Sequence, residues 1–80
     1  MIVRDDLEAW VVQALKKLGG KGQIRDVAKE IWTAHKKQLE ESKLLYTWQY
    51  DMRWAATQLR RKGMMKAADA CPAGVWELTE

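Results

Sequence analysis

Up to Gly63 the apolar residues of this chain recur every three or four positions, and beyond Gly63 they alternate. The first spacing is that of a helix with one buried stripe, the second that of a strand with one buried face. A chain so divided has to set its helices against a short β-element at its end. With 80 residues it forms one domain, expected to span residues 1–80. A domain of this size buries only roughly 60 to 65% of its unfolded surface, so the five Trp are expected to carry much of the core.

The segment RDDLEAWVVQALKKLGG opens with two Asp able to cap a helix and then sets Leu7, Trp10, Val11, Ala14, Leu15 and Leu18 on one face. Lys16 and Lys17 fall in the last turn, where the helix dipole favours cations, and Gly19 is a left-handed stop. GGKGQI holds too many glycines for a helix and reads as a turn with a short extended piece around Gln23. A second helix runs from about Arg25 to Lys37, with Ile24, Val27, Ala28, Ile31, Ala34 and His35 along one side. Trp32 lies on its flank, partly exposed, as a candidate surface for self-association.

No Gly or Pro interrupts KKQLEESKLLYTWQYD, yet the phase of the apolar residues requires a break. A straight continuation sets the stripe of Leu45, Trp48, Met52 and Leu59 roughly a quarter turn away from that of Val27 and Ile31. The break is expected between Leu39 and Thr47, with Ser42 or Thr47 as the next N-cap. After Gly63, GMMK and GVWELTE read as strands, the second with Trp76 and Leu78 on one face and Val75, Glu77 and Thr79 on the other. AADACPAG between them is a hairpin loop with Pro72 and Gly74 as turn residues. The extended piece near Gln23 should pair beside this hairpin, because a lone two-stranded ribbon is marginal. The fold class is therefore α+β, mainly α: a winged helix-turn-helix of three helices and a small antiparallel β-sheet wing.

The third helix, within YDMRWAATQLRRKGMM, has two long faces. Trp48, Met52, Ala55, Ala56 and Leu59 form a core stripe, while the other side collects Tyr50, Arg53, Trp54, Thr57 and Arg61 with Arg60 at the flank. From Arg53 to Lys66 the chain carries five bases and no acid, so its formal net charge of +3 is a local excess. A cationic, aromatic-bearing helix face neutralises phosphates and offers guanidiniums to guanine edges in the major groove of double-stranded DNA. The candidate DNA-binding residues are therefore Tyr50, Arg53, Thr57, Arg60, Arg61, Lys62 and Lys66. Arg60, Lys62 and Lys66, at the helix end and the start of the wing, are expected on phosphates. Trp54, although on this face, is expected to be wedged against a neighbouring element, and Trp10, Trp48 and Trp76 to lie in the core.

Other classes of function find little to work with. A single Cys71 excludes an intramolecular disulfide, and the start of the chain shows neither a secretory n-region nor an apolar h-region, which points to the cytoplasm. No apolar run is long enough for a membrane span. His35, the only His, shares the stripe of Ala28 and Ile31 and is expected to be a packed structural residue, so no metal or other cofactor is expected. No GxSxG or phosphate-cradling glycine motif occurs, and the acids are scattered, so the chain is not expected to be an enzyme. The alternative to DNA binding is a winged helix used for protein contact or dimerisation, with Trp32, Leu44 and Tyr46 meeting the partner and the Arg run merely solvated. Helix-turn-helix proteins of this size often form homodimers, although no interface is specified here.

Two stretches, ALKKLGGKGQIRDV (Ala14 to Val27) and RWAATQLRRKGMMK with GVWELTE (Arg53 to Lys66 and Gly74 to Glu80), resemble the N-terminal winged-helix domain of Mrr-type restriction endonucleases. They look like that family's leucine/glycine turn, its Trp-Ala helix and its Gly-x-Trp-x-Leu/Ile-Thr terminal strand, and the resemblance covers nearly the whole chain. It implies a module that binds DNA while a separate C-terminal nuclease domain cuts it. The expected function is thus a DNA-binding module, either a regulator of transcription or the recognition domain of a restriction-type system. The chain ends at Glu80, directly after the terminal strand, so the acid and lysine cluster of metal-dependent cleavage is expected to fall outside it. The loop DACP also lacks the Arg and Lys common in wings that grip phosphates.

Overall fold

Two of the helices end where a glycine lets the chain turn left-handed. In the computed structural model, which describes residues 4–79, α1 spans Asp6–Lys17 and α3 spans Trp48–Arg61. Gly19 and Gly63 follow them with φ of 91° and 77°. At each end paired backbone bonds satisfy the last carbonyls: Gly20 N to Leu15 O at 2.7 Å with Gly19 N to Lys16 O at 3.2 Å, and Met64 N to Leu59 O at 2.9 Å with Gly63 N to Arg60 O at 3.1 Å. Such closure needs a positive φ at the first residue past the cap, which only glycine adopts without strain.

Between them α2 spans Ile24–Glu40, starting one residue earlier than the apolar pattern suggests and ending three later. Its buried side is narrow. Val27, Ile31 and Leu39 are buried with His35 half-buried among them, all on one row of four-residue steps, whereas Ala28 is half-buried and Ala34 is exposed. Ile24, Ala28 and Trp32, one step round the helix, pack against the edge of the core, and Ala34 falls outside both rows. His35 has non-helical φ and ψ of −128° and 19° and marks a kink in α2. Its ring lies flat on Trp10 of α1, with centroids 3.7 Å apart, and Nδ1 is 2.7 Å from Gln38 Oε1. The only His is a packed, hydrogen-bonded residue, as its position on the stripe suggests.

The break between α2 and α3 is a 3₁₀ helix over Lys43–Tyr46. Ser42 opens it, accepting from Leu44 N at 3.0 Å while its hydroxyl donates to Leu39 O at 3.0 Å. Thr47 is the residue before α3, but its Oγ1 donates to the Asp51 carboxylate at 2.9 Å instead of capping a backbone N–H. Three residues per turn in place of 3.6 rotate the chain between the two stripes. In consequence Leu44, not Leu45, packs against the core.

The sheet also departs from the simplest reading of the sequence. β1, Lys21–Gln23, pairs antiparallel with β2, Val75–Glu77, setting Lys21 opposite Glu77, Gly22 opposite Trp76 and Gln23 opposite Val75. GMMK forms no strand; it contributes a single bridge between Met65 and Leu78, flanked by Lys66 N to Glu77 O at 2.9 Å and Thr79 N to Met64 O at 3.1 Å. The cause is local. Met64 N is committed to closing α3, and the chain beyond Lys66 soon enters a second 3₁₀ turn over Ala68–Ala70. Pro72 and Gly74 do form the turn expected of them, with Val75 N bonded to Pro72 O at 3.1 Å. Glu80, the last residue of GVWELTE, lies outside the described residues.

These elements enclose one core. It takes Leu7, Trp10, Val11 and Leu15 from α1, Val27, Ile31 and Leu39 from α2, the whole predicted stripe of α3 (Trp48, Met52, Ala55, Ala56, Leu59), and Met65 and Trp76 from the wing. Trp32 is half-buried and stacks on Trp48, with centroids 5.8 Å apart. Trp54 packs against the edge of the core with the Arg4 guanidinium 3.9 Å above its ring, so it is wedged as expected. The architecture is a winged helix-turn-helix, α+β and mainly helical. Leu59→Ala should lower stability by about 2 to 5 kcal/mol, a large part of the ~5 kcal/mol available to a small domain. A thermal melt monitored by circular dichroism checks this; a curve unchanged from the parent contradicts the burial of this face.

Candidate nucleic-acid interface

The buried stripe of α3 fixes what its other side presents. Asp51, the sole acid on α3, is turned inward: it is 9% exposed and accepts the Thr47 hydroxyl. The outward side of the helix therefore carries no acid. Tyr50 (78% exposed), Arg53 and Arg61 stand there with no side-chain hydrogen bond or ion pair among the described residues. Thr57 is exposed too, but its Oγ1 donates to Arg53 O at 3.2 Å, so its hydroxyl is spent on its own helix.

The remaining candidates are placed differently. Arg60 is half-buried, and its Nε donates to Lys66 O at 3.3 Å, tying the end of α3 to the start of the wing. Lys62 is ion-paired with Glu8 of α1. Lys66 reaches Glu77 of β2 at 2.9 Å. The structure thus brings Tyr50, Arg53, Thr57 and Arg61 together on one open face and gives Arg60, Lys62 and Lys66 partners within the fold.

Two positions that the charge pattern does not single out join the open face. A groove of 790 Å³ runs between the start of α2, the exposed side of α3 and the wing turn, and it is walled by Arg25, Gln49, Arg53 and Gly74 among others. Arg25 and Gln49 are exposed and, like Arg53, lack a side-chain partner among the described residues. The signal for Gln49 lay in the sequence: it precedes Arg53 by four residues, which stacks the two on one helix row. Arg25 carried no such signal, because only the packing of α2 across α3 brings it to the groove. The loop of residues 67–74 holds Asp69 and no Lys or Arg.

The hydrogen bond from Lys66 holds the Glu77 carboxyl below the usual glutamate range, aided by the charges of Lys66 and Lys21. The same bond holds the Lys66 ammonium above the usual lysine range. Both side chains are partly exposed, and a pair of this kind contributes little to stability.

Among the described residues no helix is long and apolar enough to cross a membrane, and no group of three or more His, Cys, Asp or Glu is placed to hold a metal ion. The chain matches no protein-family model, no curated protein and no solved structure.

The Lys66–Glu77 pair has a pH signature. A lowered Glu77 contributes stability above its ordinary value of 4.5 and loses it as the pH falls through the lowered one. A raised Lys66 contributes below its ordinary value of 10.5 and loses it as the pH rises through the raised one. The melting temperatures of the parent and Glu77→Gln should therefore differ most between these limits and converge at both extremes. A difference that does not vary with pH shows that the pair does not form in solution.

Proposed function

We propose that this chain binds double-stranded DNA by laying the exposed face of α3 in the major groove. One observation carries the reading: Tyr50, Arg53 and Arg61 stand on that face without internal partners, and the only acid of the helix is buried behind it. Unpaired guanidiniums on a convex helix release counterions when they meet phosphates and can pair bidentately with guanine. Arg25, across the groove from Arg53, adds a further free cation at the start of α2. Lys62 and Lys66 must give up an acid before meeting a phosphate, so they contribute less than the free Arg side chains. The wing tip, with Asp69 and no base, is not a gripping element.

The resemblance to the N-terminal domain of Mrr-type restriction endonucleases supports the same reading by analogy. The module then acts in the cytoplasm, as the recognition part of a restriction-type system or as a regulator of transcription, and carries no catalysis of its own. A second reading has one observation in its favour. Tyr46 is 92% exposed beside the half-buried Leu44, and Trp32 is half-buried, which suits a protein partner or a second copy of the chain.

Titration of a random duplex at two salt concentrations separates the two, because phosphate binding weakens steeply with salt whereas an apolar contact need not. Arg53→Ala and Arg61→Ala should each lower affinity and leave the melting temperature unchanged, and loss of a phosphate contact should reduce the salt slope by about one unit. Lys62→Ala and Lys66→Ala should have smaller effects. If neither Arg substitution alters binding, α3 does not contact DNA and the protein-contact reading is the better one.

A further inference from the structure

Gln49, Arg53 and Thr57 follow one another at four-residue intervals on α3, and all three are exposed. They form one row facing the wing. Gln49 and Arg53 wall the groove towards the start of α2, while Arg53 and Thr57 wall a smaller depression of 300 Å³ beside Pro72 and Gly74.

Each member of the row has one chemical group to offer. The Gln49 carboxamide and the Arg53 guanidinium have no side-chain partner among the described residues. The Thr57 hydroxyl is bonded to Arg53 O, which leaves its methyl free. In the major groove a carboxamide pairs bidentately with adenine N6 and N7, a guanidinium with guanine O6 and N7, and a threonine methyl packs on the thymine methyl.

Spacing limits what the row can reach. At a rise of about 1.5 Å per residue, neighbours in the row are about 6 Å apart and its ends about 12 Å apart. Bases stack about 3.4 Å apart, so neighbours fall roughly two base pairs apart. The row therefore fits within about four to five base pairs. Arg61 is next in the row but lies about 18 Å along the axis from Gln49. Each four-residue step also overshoots a full turn by about 40°, so Arg61 stands about 80° around the helix from Arg53, beside Tyr50 and Trp54 and outside the groove walled by Gln49 and Arg53, which turns it towards the backbone.

Resting on the DNA-binding reading above, we propose that Gln49, Arg53 and Thr57 are the specificity-determining residues of this chain. Their target carries an adenine, a guanine and a thymine in that order along the reading row, at successive intervals of about two base pairs. Arg53 and Arg61 then divide the work: the first reads a base and the second holds the backbone.

Selection of duplexes from a random pool tests this with the parent chain, Gln49→Ala, Arg53→Ala and Thr57→Ser, each first shown to melt like the parent. The parent should enrich sites holding the three bases at these intervals. Gln49→Ala should lose about 5- to 150-fold of discrimination at the adenine position alone, and Arg53→Ala a similar factor at the guanine position. Thr57→Ser keeps the hydroxyl and removes the methyl, so it should relax the thymine position only. A parent that binds duplexes without base preference, or a preference that survives all three substitutions, overturns this assignment while leaving the proposed function standing. A parent that binds no duplex overturns both.

Discussion

The exposed face of α3 depends on the burial of its opposite face. Trp48, Met52, Ala55, Ala56 and Leu59 form a continuous buried stripe, and it is this stripe that fixes the rotation of the helix about its own axis. Ala55 and Ala56 are both fully buried, so the middle of α3 meets the rest of the core with small side chains and close backbone approach. With the rotation set, Arg53 and Thr57 can only point away from the core. Any substitution that let α3 roll by a third of a turn would bury Arg53 at considerable cost, since a guanidinium without a partner is not tolerated in an apolar interior. The cationic face is thus held outward by packing and charge together.

The junction before α3 determines where that face lies. The 3₁₀ turn over Lys43–Tyr46 absorbs the mismatch between the stripe of α2 and the stripe of α3. The mismatch itself was legible in the sequence, because apolar spacing reports helix phase. The conformation that resolves it was not, since Ser42 and Thr47 are both good caps and the pattern contains nothing that distinguishes a 3₁₀ turn from a loop. The 3₁₀ turn is what sets Leu44 rather than Leu45 against the core. Much the same holds for the wing. Alternation along GVWELTE identifies β2 and places Trp76 inward, but it does not show that closing α3 at Gly63 uses the backbone of Met64. GMMK consequently pairs at one bridge, and β1 is the true partner of β2.

The candidate site was legible to the extent that it depends on local sequence. The two faces of α3, the inward Trp48 and the outward Arg53 and Arg61 all follow from helical spacing. What spacing does not reveal is which cations already have partners. Glu8 lies 54 positions from Lys62, and Glu77 lies 11 from Lys66; only the packing of α1 against α3 and of the wing against its own start brings each pair together. A run of five bases is therefore two populations: one held within the fold and one facing solvent. Gln49 does not stand out in a charge pattern for the opposite reason: it is neutral in a basic region.

If the face of α3 is the DNA surface, binding should leave its mark on that face and nowhere remote from it. Amide chemical shifts of the isotopically labelled chain, followed as duplex DNA is added, report this residue by residue. The largest changes should fall on Gln49, Tyr50, Arg53, Thr57 and Arg61, with smaller ones at Arg25 and little at Glu8, Lys62 or the 3₁₀ turn around Leu44. Changes centred on Trp32, Leu44 and Tyr46, or spread evenly with none concentrated on α3, would contradict the assignment of this helix to the groove.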